Sequence, residues 1–184
     1  MVMSTMELRK YRLDATSEFE RARMAARWQG FWSKIRRHTT ACLLPFKEIE
    51  RWLPQQRLYR GISEIPLHNI VGSVDRSHEY NRKFQPLRDS LDERWINVMV
   101  LSRTIGWPPI QAYKVGNIYF VEDGHHRVSV ARWQKNRVIE AEVWEYPLDR
   151  IFEPTASLES IITQLERRPL RPPMPSLCCQ AVCH

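Results

Sequence analysis

Apolar residues fall along this chain in blocks of changing period. Phe19, Ala22, Ala26, Trp28, Phe31, Trp32 and Ile35 recur at near-helical spacing, which predicts a helix over 17–38 with Ser17 as its N-cap. Pro45 opens a second, shorter helix over 46–53, with Phe46, Ile49, Trp52 and Leu53 on one side, and Pro54 closes it. Residues 55–63 read as a linker. Residues 65–71 read as a strand with a proline near its start. Residues 72–90 are polar and irregular, and a loop of that length is often functional. Residues 92–104 have helical features, and Gly106 with Pro108 and Pro109 stops that helix.

The pattern then changes to alternation. Residues 110–115 and 118–121 read as a hairpin closed by Gly116-Asn117, two residues that tolerate positive φ. Glu122-Asp123-Gly124 breaks the second strand, and His125 to Gln134 reads as a short helix with Val128 and Ala131 inward. Residues 138–146 alternate again, with Ile139, Ala141, Val143 and Glu145 on one face, until Pro147. Ser157 caps a last helix ending near Arg167, and four prolines in 169–175 predict an extended tail. The expectation is an α+β fold: a small mixed sheet with packed helices, preceded by an N-terminal helical arm. The units expected are a basic extension over 1–60, a domain over 61–150, a C-terminal helix over 151–168 and a Pro-rich, Cys-containing tail over 169–184.

Composition changes this picture in four places. Hydrophobic residues make up 43% of the 184, with seven Trp, enough for a real core. Of 28 Lys/Arg and 21 Asp/Glu, 13 and 6 lie in residues 1–60, and 15 and 15 in the remainder. The net charge of +7 therefore resides in the N-terminal third, as expected of a basic extension on a neutral domain. No apolar run is long enough for a membrane span or a signal peptide, so the expectation is a cytoplasmic protein. Cys42, Cys178, Cys179 and Cys183 do not spread through the core as a disulfide framework would, which fits a reducing compartment. The adjacent pair Cys178-Cys179 lacks the two-residue spacing of metal ligands, so the tail reads as a terminus that happens to hold thiols.

The informative chemistry sits in the order strand, Asp123-Gly124, His125-His126-Arg127, helix. The first turn of a helix has unpaired N–H groups and the positive end of the dipole. Gly124 allows close backbone approach, and His125, His126 and Arg127 add donors, so the turn suits phosphate. Asp123 has the wrong charge for phosphate and suits a magnesium ion or a hydroxyl. Against this, Asp-Gly is also an ordinary turn, and a helix can begin with polar residues for solvation alone.

Residues 65–146 resemble the ParB/sulfiredoxin-like domain in order and motif. The matching pieces are Pro108-Pro109-Ile110, the hairpin, Gly124-His125-His126-Arg127, the helix from Val128 and the final strand. More closely, Ile70-Val71-Gly72-Ser73-Val74, Tyr113-Lys114-Val115-Gly116 and the stretch from Asp123 to Ala131 resemble bacterial ParB N-terminal-domain-like proteins without assigned function. The resemblance implies a nucleotide site for ATP, ADP or CTP, often with Mg2+, and in some branches phosphoryl transfer. Sulfiredoxins carry Cys where this chain has His125, so their repair chemistry lacks its nucleophile here. Partition proteins continue into a helix-turn-helix DNA reader; 38 residues follow Tyr146 here, ending in the Pro-rich stretch, so such a reader is not expected among them. Free-serine kinases of the fold use an acidic residue near the first strand, for which Asp75 and Glu79 are candidates.

Three functions follow as expectations. The first is a nucleotide-binding enzyme or switch, with Gly124, His125, His126 and Arg127 on phosphate and Asp75, Glu79 and Asp123 as catalytic candidates. The second is a DNA-associated module using Arg21, Arg27, Lys34, Arg36 and Arg37, against which stands packing of the same helix on the domain or in a homodimer. The third is a nuclease, which would pair Asp123 with Asp75 or Glu79.

Overall fold

The structure, a computed structural model, describes residues 5–35 and 42–167, without the side chains of 29–35. Six strands form one mixed sheet in the order β1-β3-β5-β4-β6-β2: β1 (Leu44–Pro45), β2 (Leu58–Pro66), β3 (Ile70–Ser73), β4 (Ile110–Val115), β5 (Ile118–Asp123) and β6 (Val138–Tyr146). β1, β3 and β5 run parallel, as do β4 and β6, while β4–β5 and β2–β6 are antiparallel. Helices α1 (Thr5–Ile35), α2 (Lys47–Glu50), α3 (Asp92–Thr104), α4 (His125–Trp133) and α5 (Leu158–Glu166) complete an α+β fold.

The alternation of strand residues divides the interior in two. Ile110, Ala112, Val121, Ile139, Ala141 and Val143 join Phe19, Trp95, Met99, Val128 and Ala131 in one core under α1, α3 and α4. Tyr113, Val115, Ile118, Phe120 and Tyr146 join Phe46, Ile49, Phe152, Ile161 and Leu165 in a second core beneath α2 and α5. Trp95 is fully buried and donates its indole N–H to Ser129 Oγ at 2.9 Å, fixing α3 against α4.

Four expectations are corrected. The first helix starts at Thr5, not Ser17: residues 5–29 contain neither Gly nor Pro, and the Ser17 hydroxyl donates to Asp14 O inside the helix. The second helix is shorter than 46–53. The linker over 55–63 is mostly strand, because Leu58–Pro66 pairs with β6. Its apolar alternation is broken by an irregularity between Tyr59 and Ile62, where Gly61 takes φ +78. The single strand over 65–71 is two pieces: β2 ends at Pro66, a 3-10 turn covers Leu67–Asn69, and β3 follows. Since β1 and part of β2 lie before residue 61, the sheet does not respect a boundary there.

Guanidinium clamps tie the loops down. Arg132 donates to the carbonyls of Arg82, Leu67 and Ile70, and Arg82 donates to those of Val71, Pro154 and Ala156. The stretch 74–88 is anchored by buried Tyr80 and Phe84, and Asn81 Oδ1 accepts from the N–H groups of Lys83 and Gln85. At the hairpin turn Asn117 exchanges two hydrogen bonds with the backbone of Phe152, at 2.9 and 2.6 Å.

Candidate functional site

α4 begins at Gly124, which takes φ +98 and offers no side-chain cap. A Cβ there would stand 2.5 Å from Ile110 Cγ2, so glycine is required both by the left-handed backbone and by the contact. The uncapped N-terminus opens on a cleft of about 350 Å3 lined by Arg76, Arg94, Asn97, Val98, Asp123, Gly124, His125, His126 and Arg127. All five residues of the sequence motif meet there. Asp75 and Glu79 do not line it.

Arg127 is heavily committed. Its Nη1 donates to the carbonyls of Pro108 and Pro109 at 2.7 and 2.6 Å, and its Nη2 donates to Asp123 Oδ2 at 2.5 Å. Three of its five N–H groups are thus used, and the Asp123 carboxylate is paired. Asp75 pairs with Lys47 at 3.0 Å in an exposed position. Glu79 faces Arg76 at 3.5 Å. The paired-carboxylate arrangement that a nuclease would need is therefore not assembled in the cleft.

The histidines are neutral structural donors and acceptors. Ser73 Oγ lies 2.7 Å from His125 Nε2 and accepts from the Arg76 N–H at 2.8 Å; the simplest pairing has the hydroxyl donate to the ring. Burial, then the charge of Arg76, lowers the His125 pKa to about 4. Burial with Arg76 and Arg94 lowers that of His126 to about 4 as well. Burial raises the Tyr80 phenol, which stays protonated and donates to His126 Nδ1 at 3.0 Å. The His126 proton then resides on Nε2, which is buried with no hydrogen-bond partner.

The free charge of the cleft comes from residues outside the motif. Arg94, on α3, makes no hydrogen bond or ion pair among the described residues, and Arg76 is held only by Glu79 and its backbone. Sequence reading missed both. They lie roughly 30 and 50 positions from the turn, and the one signal was an Arg on the polar side of the helix over 92–104.

No family model and no curated protein matches this chain. Among solved structures, sulfiredoxin from Arabidopsis thaliana is similar at 19% identity, over 58% of this chain and 98% of that one, with a TM-score of 0.34. A likeness that distant bears on neither ligand nor reaction.

Among the described residues no cluster of three or more His, Cys, Asp or Glu is placed to hold a metal ion. Asp123 is the one carboxylate lining the cleft. On α1, Arg21 and Arg27 are exposed while Ala15, Phe19, Ala22 and Ala26 are buried against the domain. Phe19 packs on Trp95 with ring centroids 5.6 Å apart and the planes tilted by 55°, and Trp133 and Arg103 both donate to Glu18. The Lys34 side chain, Arg36, Arg37 and residues 168–184, with Cys178, Cys179 and Cys183, lie outside the described residues. No helix among the described residues is long and apolar enough to cross a membrane.

Proposed function

We propose that the cleft at the start of α4 binds the phosphates of a nucleotide, and that the protein is a nucleotide-binding switch of the ParB/sulfiredoxin-like kind. The observation that carries this reading is the meeting of Arg76 and Arg94 with an uncapped helix N-terminus whose one neighbouring carboxylate is already paired. Helix amides and guanidinium groups recognise phosphate oxygens together. A phosphate oxygen would also satisfy His126 Nε2, whose buried N–H otherwise costs about 1–3 kcal/mol. Binding is favoured over phosphoryl transfer because Asp123, the one lining acid, is held by Arg127. Magnesium entering with the ligand would compete for that carboxylate.

Isothermal titration with ATP, ADP and CTP, with and without magnesium, tests the reading. Arg94→Ala should weaken binding by roughly ten- to a hundredfold, the loss of one charge-assisted hydrogen bond. Failure of the wild type to bind any of the three would end the proposal. A DNA-associated role has one observation in its favour, the exposure of Trp28 beside Arg27 on α1. It requires duplex affinity that falls steeply with salt and is lost in Arg21→Ala/Arg27→Ala.

A further inference from the structure

Helix α3 carries Arg94, Asn97, Val98 and Leu101 at positions i, i+3, i+4 and i+7, a single stripe. Its first members line the anion cleft. Asn97 also lines a second, apolar groove of about 560 Å3, together with Val100 and Leu101 of α3 and Thr5, Leu8, Arg9 and Arg12 of α1. The cleft and the groove thus meet at one residue. Seven residues of helix separate Arg94 from Leu101, about 10 Å along the axis, the scale of one nucleotide.

The α1 wall of this groove does little for the core. Over residues 5–14 no side chain is fully buried, and burial begins at Ala15. Yet Leu8 is 44% and Leu101 37% exposed, and both line the groove. Asn97, at the junction, makes no hydrogen bond among the described residues, so its amide has donors and an acceptor to offer.

We propose that the first turns of α1 and the Asn97–Leu101 part of α3 form the nucleobase subsite of the anion cleft, with one nucleotide spanning both. This rests on the phosphate reading above and adds where the base lies. A base fits the chemistry of the groove. Its edge carries donors and acceptors that an Asn amide can pair with. Its faces suit apolar walls and the guanidinium planes of Arg9 and Arg12. A saturated alkyl chain would use Leu8 and Leu101 but leave Asn97 and Arg9 without a role, while Arg12 already lies 3.9 Å from Glu93 in an exposed ion pair.

The test is isothermal titration of the full chain with ATP, CTP, GTP, UTP, inorganic tripolyphosphate and decyl phosphate, all with magnesium. It is repeated on the Leu8→Gln/Leu101→Gln variant, whose substitutions fall at part-exposed positions and spare the fold. Stacking of a base commonly adds about tenfold or more in affinity, so at least one nucleotide should exceed tripolyphosphate by that factor. The factor should collapse towards one in the variant. Tripolyphosphate binding as tightly as every nucleotide would overturn the base subsite and leave the phosphate site standing. A nucleotide advantage that survives the double substitution would place the base elsewhere and overturn it too. Decyl phosphate binding more tightly than every nucleotide would assign the groove to an alkyl chain instead. Absence of binding by all six would overturn both readings together.

Discussion

Replacing Arg127 by alanine separates what this residue does for the fold from what it does for a ligand. Three oxygens accept from its guanidinium: those of Pro108, Pro109 and Asp123. The Asp123 side chain is 67% exposed, so that pair contributes at most about 1 kcal/mol after solvent screening. The carbonyl bonds matter more, because a hydrogen bond from a charged donor is worth about 1.5–3 kcal/mol. Water can replace the one to Pro108, which is exposed, and not readily the one to Pro109, which is part-buried. Arg127→Ala should therefore lower stability by about 2–4 kcal/mol, and Asp123→Asn by under about 1 kcal/mol. Arg127→Lys should recover little, since one ammonium cannot span a fork of three acceptors. Urea unfolding followed by circular dichroism measures all three, with slopes compared to confirm that only the midpoint moves. Arg127→Ala within about 0.5 kcal/mol of wild type would refute the clamp, since that is the range of surface substitutions.

Phe19→Ala should cost about 3–5 kcal/mol, because Phe19 is 2% exposed and seals α1 onto Trp95; an unchanged urea midpoint would mean that α1 does not dock. The histidines set a pH dependence. Their folded pKa values of about 4 lie below the ordinary value of 6.5, so the unfolded chain takes up protons first as the pH falls. Their stabilising contribution is thus complete above pH 6.5 and is lost between 6.5 and 4, on the order of 3 kcal/mol from His125 and less from the more exposed His126. His125→Gln should flatten that part of the stability profile, and an unaltered slope in unfolding experiments from pH 7 to pH 4 would count against it.

The hairpin, α3, α4 and β6 were legible because each is a local pattern: Gly116 at a tight turn, Gly106 and two prolines after a helix, alternation from Ile139 to Val143. The turn at Asp123 was legible for the same reason, since five consecutive residues lie at one helix start. What could not be read depends on partners far along the chain. β2 looks like a linker because its residues are mostly exposed at a sheet edge, and it becomes a strand only opposite β6. Ser17 resembles a cap until Thr5–Thr16 is known to be helical. Arg76 and Arg94 enter the cleft from a loop and a helix whose places are set by the burial of Tyr80 and Trp95. The charge in the cleft is a property of the fold, while the turn is a property of the local sequence.

The sheet has both of its edges in one short stretch of chain. β1 and β2 are separated by only twelve residues yet lie at opposite ends of the strand order. On the ribosome β2 is made about 80 residues before β6, its partner, a wait of several seconds at about 5–20 residues per second. Through that interval Tyr59 and Ile62 have no strand to pair with. The irregularity at Gly61 and the charges of Arg60 and Glu64 are what stand on that edge, features that hinder pairing with other chains. The protein must therefore keep β2 from premature company until its last strand is synthesised, and the bulge that disguises β2 in the sequence is suited to that task.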